Sequence, residues 1–396
     1  LSSAFQNQVL ANATAQNSYA NSLSQVVTSA QSFLNEPSSN GISEQLANFW
    51  SAFDTVANTP NQLAPRQQLV ADAQQLSTTF NQLSSSFNQL YTSTVNSISS
   101  DVTTANTQLQ QIAQLNQQIQ QAGPSSSNTL IDQRNQILNS LQGSLGVTTQ
   151  SQSDGTINVL LGGITLVQGN ISTSLSVQAP SAPPMPAANQ VSLIAASSGT
   201  AAPVSSGSIG GLLTAVNQTL PNYSTQFDNV ASSFATTVNT QLTAGNSYPG
   251  NGTTPQAGTP MFVFGGSGSP TALNLSVSSA MIADPFTIAA AGNPPGGNND
   301  GSNAQKAGEL GSLTNGPDAL WRSTVGSFGL DVANVQNLVS STNASYQSAY
   351  QAQQVTSGVS TNQELVNLLN YQQGYQAAAK VISTISSTVQ TLLQAV

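Results

Sequence analysis

The sequence predicts an α+β protein: an elongated helical rod or bundle built from both chain ends, with a β-rich domain inserted into it. Three observations carry this. Apolar residues recur every three or four positions through most of residues 1–147 and again from about Asn303 to the end, which is the period of an amphipathic helix. Between Thr148 and Asn299 much of the pattern shortens to alternation, with turn pairs and prolines between the runs. The third is a stripe formed by Leu368, Tyr371, Tyr375, Ala378, Ile382, Ile385, Val389, Leu392 and Val396. Its steps alternate three and four without a break, the a/d seam of a helix that packs along its length against another.

The elements follow in order. A first helix carries Tyr19, Leu23, Val26, Ala30 and Phe33 and stops before Glu36-Pro37, because proline cannot continue a helix. A second follows Ser43, an expected N-cap, with Leu46, Phe49, Trp50 and Phe53 on one face and Thr59-Pro60 at its end. A long helix starts near Pro65 with the seam Leu69, Ala73, Leu76, Phe80, Leu83, Phe87 and Leu90. The seam then slips to Tyr91, Val95, Ile98, Val102, Ala105, Leu109 and Ile112, a stutter that locally unwinds a left-handed supercoil. Up to Gly123 it would span about 85 Å at 1.5 Å per residue. One more helix runs from about Leu130 to Leu145.

Then the period changes. Asp154-Gly155 and Gly162-Gly163 are hairpin-type pairs between β-rich runs reaching Gln178. Ala179 to Asn189 holds several prolines and reads as a linker. Val191 to Ile194 is a short strand. Helical spacing returns from Leu212 to Leu242, broken or restarted at Pro221. Phe262-Val263-Phe264 and Leu273-Leu275-Val277 are strand candidates, and Asn293 to Asn299 is loop. These readings divide the chain into helical 1–147, β-rich 148–207, helical 208–244, β-rich 245–300, helical 301–364 and a terminal coiled-coil helix 365–396.

Composition narrows the chemistry. There is no Cys and no His, which removes disulfides, thiolate metal sites and the commonest general base. Charged residues make up 5% of the chain, 14 acidic against 5 basic. An acidic chain with so few cations cannot neutralise a phosphate backbone, so nucleic acid and anionic membranes are poor partners. No apolar run reaches the ~18 residues of a membrane span. The chain opens at Leu1 without Met, basic leader or apolar leader, in residues that already read as helical, so further N-terminal residues are expected to precede it.

Each candidate for chemistry reads as structural. Asp132 and Arg134, two apart on a helix, do not face each other and read as a solvated helix start. Gly265-Gly266-Ser267-Gly268 lacks the Lys-Ser/Thr of a phosphate loop and reads as a turn. Asp300, Glu309 and Asp318 lack calcium-loop spacing. Lys306 and Lys380 sit in no motif that would serve a Ser–Lys dyad. Asn12, Asn217 and Asn274 begin Asn-x-Ser/Thr triplets expected by chance in such a chain. Trp50 and Trp321 are expected in the core. Catalytic, cofactor and metal residues are therefore none. The C-terminal seam remains as a partner-helix interface, worth on the order of 10–20 kcal/mol if its large side chains were fully buried. Ordering it and accommodating Gly374 cost a comparable amount, so the helix is expected to be stable only when packed.

The residues also carry a resemblance. Gly358-Val359-Ser360, Glu364 to Leu368 and Tyr371 to Ile382 resemble the C-terminal signature shared by bacterial flagellar rod, hook and hook-associated proteins. Leu130 to Leu138, Asp154 to Val159, Gly162-Gly163, Gly210 to Leu213, Leu220-Pro221, Leu242 and Gly245 are similar, more narrowly, to the FlgK-like hook-associated proteins. Two departures stand out: Thr361-Asn362-Gln363-Glu364 occupies the place of an acidic cluster, and the N-terminal segment that pairs with the C-terminal helix is absent here. The resemblance implies a non-enzymatic structural subunit of the extracellular flagellum, in the ring joining hook to filament, exported by the type III route without a cleaved signal. It implies as partners copies of the same chain, the hook protein, a second junction protein on the filament side, and an export chaperone on Leu365 to Val396. The rival reading is an extracellular adhesin or type III translocator with a helical stalk. An enzyme such as a muramidase would need paired carboxylates, and the more clearly β-patterned parts of the inserted module offer only Asp154 and Asp284.

Overall fold

The computed structural model describes residues 2–123, 127–180, 190–266, 269–357 and 361–394. The chain falls into two compact units, one of residues 11–344 and a smaller one of residues 1–10 with 345–396. Ten α-helices and four small antiparallel sheets are formed among the described residues.

In the larger unit, α1 (Ser2–Ser32) buries Leu23, Val26 and Ala30 of its expected stripe and also Val27 beside it. In α2 (Ile42–Asn58), Leu46, Phe49, Trp50, Phe53 and Val56 are buried on one face. Its start differs from expectation. Gly41, not Ser43, is the N-cap, and its first turn is closed by a remote side chain, with the Ser43 N–H donating to Glu36 Oε1 at 2.8 Å. A carboxylate there satisfies an orphan amide and sits at the positive end of the helix dipole.

Helix α3 (Leu63–Ala122) has 60 residues, a length of about 90 Å. Its burial follows the predicted seam, including the slip: Leu90 is half-buried while Tyr91 is buried, and Ile98, Val102, Ala105, Leu109 and Ile112 continue the new line. Helix α4 (Asn128–Leu145) packs Leu141 and Leu145 into the same core.

A four-stranded sheet follows, in the order β1 (Thr148–Ser151), β2 (Ile157–Leu161), β3 (Ile164–Gln168), β4 (Ile171–Ser172). The turns fall at the predicted pairs. Gly162 and Gly163 have φ of 53° and 91°, the left-handed pair that a tight β2–β3 turn demands. The strands β5 (Leu175–Gln178), β6 (Ser192–Ala195) and β7 (Ala201–Ala202) form a second sheet. Most of the predicted linker between β5 and β6, residues 181–189, lies outside the described residues. The strands β8 (Asn246–Ser247) and β9 (Gln256–Ala257) pair with each other, as do β10 (Phe262–Phe264) and β11 (Leu275–Val277). Leu273, read as strand, is in a 3-10 turn capped by Thr271 and Asn274. Among the described residues no ladder joins the strands of 148–202 to those of 246–277.

From Gly207 to Thr243 the helix does not break at Pro221. α5 (Gly207–Thr214) passes through a π turn (Ala215–Thr219) into α6 (Leu220–Thr243). The short α7 (Ser279–Ala283) precedes a loop around Asp300. Where the sequence reading runs helix continuously from about Asn303, the structure has α8 (Ser302–Glu309), a 3-10 turn, and then α9 (Pro317–Ser357). Pro317 opens α9 at a position where its missing N–H is not needed.

Aromatic rings fill the core of this unit. Phe49, Trp50, Phe53, Phe234 and Phe262 form one group, with centroid distances from 4.7 to 5.8 Å. Phe87, Tyr223, Phe227, Trp321 and Phe328 form another. Such pairs add about 0.5–1.5 kcal/mol each beyond area burial.

The strands are fastened to the helices by asparagines. Asn106 of α3 accepts from the Leu175 N–H and donates to the Leu175 carbonyl, both at 2.8 Å. Asn239 of α6 does the same to Phe262 at 2.9 and 2.8 Å, and Asn217 to Val191 at 2.8 and 2.9 Å. Each amide side chain stands in for a neighbouring strand, satisfying backbone N–H and C=O groups that face away from any ladder.

Helix α10 (Thr361–Gln394) belongs to the smaller unit. There, Gln353 donates to Asn7 Oδ1 at 2.8 Å, Tyr346 and Tyr350 stack at 6.0 Å, and Ala349 is buried.

Candidate interaction surface

The residues considered for chemistry are structural in the folded chain. Arg134 is not at a solvated helix start: it is buried, donating to Asn116 Oδ1 at 3.2 Å and the Gly155 carbonyl at 2.9 Å, while Asp132 is exposed. Residues two apart on a helix point to nearly opposite sides, and the guanidinium finds carbonyl oxygens rather than a carboxylate. Gly265 and Gly266 lie in the β10–β11 connection; Ser267 and Gly268 are outside the described residues.

Asp300, Glu309 and Asp318 do not converge. Asp300 gathers its own loop, accepting from Gly292 N–H, Gly296 N–H and Ser302 N–H at 2.9, 3.0 and 2.9 Å. Burial alone would raise its pKa, but the bonds from the Ser302 amide and hydroxyl, Gly296 and Gly292 outweigh burial and hold it at about 2. Asp318 accepts from the Trp50 indole instead. Glu309 receives only a weak bond from Gln305 at 3.4 Å. Among the described residues no group of three or more acidic side chains could hold a metal ion.

Lys306 and Lys380 are exposed. Asn12 is exposed on α1, whereas Asn217 and Asn274 are engaged in the bonds described above. Trp50 and Trp321 are buried, as their surroundings in sequence suggest. Sequence reading passed over Arg66, which is buried and donates to the carbonyls of Pro60, Pro285 and Ile288. Its guanidinium lies 5.3 Å from the Phe286 ring. Burial lowers its pKa to about 10, with Asp284 pulling the other way.

What stands out on the surface is α10. Every described side chain from Leu365 to Gln394 is exposed. Along the seam Leu368, Tyr371, Tyr375, Ile382, Ile385, Val389 and Leu392 are between 49% and 80% exposed. Ala378 is exposed too, and Val396 lies outside the described residues. At the start of the helix Leu365, Val366 and Leu369 widen the apolar face. Its one described charge, Lys380, lies well away from the seam around the helix. A continuous apolar stripe of this length left in water makes α10 the candidate interaction surface. Among the described residues no helix is long and apolar enough to cross a membrane. Residues 148–194 contain no aromatic residue that could form a ligand platform there.

Comparison with known proteins bears on both regions. The family model described as the flagellar hook-associated protein FlgK helical domain matches residues 27–262. A second, described as the flagellar basal body rod FlgEFG protein C-terminal, matches residues 351–395 and so takes in the seam from Leu368 to Leu392. The flagellar hook-associated protein 1 of Salmonella typhimurium is 29% identical over 222 residues, covering 54% of this chain and 40% of that protein. The Escherichia coli K12 protein of the same name is 28% identical over 240 residues, covering 58% and 42%. The matched region thus spans about two fifths of these relatives. The structure of the flagellar hook junction protein FlgK from Burkholderia pseudomallei superposes with a TM-score of 0.73 at 19% identity, over 89% of this chain and 100% of that one, a likeness of fold.

Proposed function

We propose, on the premise that the chain belongs to the FlgK family of flagellar hook-associated proteins, that it is a structural subunit at the junction between the flagellar hook and its filament. The observation that carries this reading is the coincidence on α10: a long apolar seam, exposed along its described residues from Leu368 to Leu392, falls within the stretch matched by the axial-protein C-terminal family. Seam burial against helices of neighbouring subunits would supply the association energy. The low charge of the chain suits close packing among uncharged Ser, Thr, Gln and Asn surfaces.

The partners in this reading are copies of the chain in a junction ring, the hook protein, the second junction protein on the filament side, and an export chaperone that covers α10 before assembly. The site of action is the extracellular flagellum, reached by type III export. Deleting the gene and examining cells by electron microscopy, with flagellin assayed in the medium, tests the role. Bare hooks and unpolymerised flagellin are expected, restored by the intact gene and not by one lacking residues 365–396. Normal filaments in the deletion strain would overturn the junction role and favour an adhesin.

A further inference from the structure

We propose that the π turn at Ala215–Thr219 is a slip joint: one surplus residue in an otherwise continuous helix, which lets the side of the larger unit bearing β1–β7 shift register against the aromatic side that carries β10 and β11. A π turn is an α-helix carrying one extra residue, recognised here by the Leu220 N–H reaching back to the Ala215 carbonyl.

The two flanks are clamped to different things. Upstream, Gly211 lies so close to α1 that a Cβ there would stand 2.3 Å from the Tyr19 carbonyl oxygen, and only glycine fits. Tyr19 also donates to Thr214 Oγ1 at 3.1 Å. Within the turn, Asn217 holds Val191 at the start of β6 through its two bonds. Downstream, Tyr223 and Phe227 are fully buried, with Tyr223 3.6 Å from the Phe328 ring and Phe227 4.9 Å from Phe87. Glycine contacts set one register, ring packing sets the other, and the surplus residue absorbs the difference.

Two features make the turn movable rather than merely irregular. Pro221 has no N–H to return to the Asn217 carbonyl, so the ladder beyond the turn is already one bond short. Open surface clefts also adjoin the turn. One of about 210 Å³ is lined by Val27, Gln218, Asn222, Tyr223 and Asp331. Another of about 180 Å³ is lined by Val191, Leu193, Leu213, Asn217 and Gln218. Gln218 borders both, so its side chain has room to pass when the turn migrates.

The test uses the intact chain. In hydrogen exchange, the amides of Asn217 to Leu220 are expected to exchange about 100-fold faster than those of Leu212, Leu213, Phe227 and Val230, through local opening. Equal protection across all of them would overturn the proposal. Deleting Gln218 should remove the surplus residue, leave a folded protein, and bring exchange at the turn down to that of its flanks. Because the chain lacks Cys, Gln150→Cys on β1 and Ser279→Cys on α7, both exposed, give unique spin-label sites. Their distance distribution should narrow in the deletion variant. A deletion that fails to fold, or leaves the distribution unchanged, would show that no residue there is surplus.

Discussion

Trp321 on α9 donates its indole N–H to Glu36 Oε1 at 3.0 Å, across 285 positions of sequence. The same nitrogen lies 3.1 Å from Ser43 Oγ, and Glu36 also closes the first turn of α2. Trp50 on α2 mirrors this by donating to Asp318 Oδ1 of α9 at 2.9 Å. Helix α9 is therefore laced to α2 and to the turn before it by crossed indole–carboxylate bonds, each beside an aromatic group.

Trp321→Phe keeps most of the ring packing and removes the donor. It should cost about 2–4 kcal/mol of unfolding free energy, from a lost bond to a charged acceptor plus a small cavity. Denaturant unfolding followed by the remaining Trp50 fluorescence measures it.

Asn106→Ala and Asn239→Ala each strand a buried strand-edge N–H and C=O. Each should cost about 2–3 kcal/mol. The two asparagines fasten different sheets and share no partner, so the double variant should lose the sum to within about 0.5 kcal/mol. A strongly sub-additive result in the same unfolding assay would mean that the two fasteners are energetically coupled rather than independent.

Asp300 predicts a pH effect of definite sign. Its folded pKa is about 2, below the ordinary value of 3.8, so the stability it contributes is complete above pH 3.8 and is lost as pH falls toward 2. Asp300→Asn should lower stability at neutral pH and flatten the dependence between those limits. Burial raises the pKa of Asp228 and, despite the Trp50 bond, of Asp318; these contribute with opposite sign. Both are unchanged in the variant, so the difference between the two thermal-melt curves against pH isolates Asp300.

Much of this was legible in sequence where packing writes itself as periodicity. The α3 seam and its slip at Tyr91, the hairpin turns at Asp154-Gly155 and Gly162-Gly163, and the α10 stripe are all recorded as spacing. The asparagine fasteners were not, because Asn106 lies 69 positions from Leu175, and an asparagine facing a strand reads like one facing water. Arg134 was misread for a similar reason: its acceptors are an asparagine side chain and a backbone carbonyl, 18 and 21 positions away, with no carboxylate to mark them. The break before α9 does carry a local signal, Asn315-Gly316-Pro317, but helical spacing on both sides masks it. Of the interaction surface, the seam residues were readable, whereas their exposure in the folded chain was not.

Ile382→Asp with Ile385→Asp should leave the melting of the larger unit unchanged, within about 0.5 kcal/mol, since both side chains are exposed. The same pair should abolish assembly, because it places charges in the centre of an apolar seam. Calorimetry of the purified chain and complementation of the deletion strain separate the two effects.

The most direct measurement is site-specific photo-crosslinking in flagellated cells, with the probe at Ile382 on the seam and, for comparison, at Gln373 on the opposite side of α10. The seam reading predicts strong crosslinks from Ile382 to neighbouring flagellar subunits and weak ones from Gln373. No intermolecular product from Ile382, or equal yields from both positions, would contradict it.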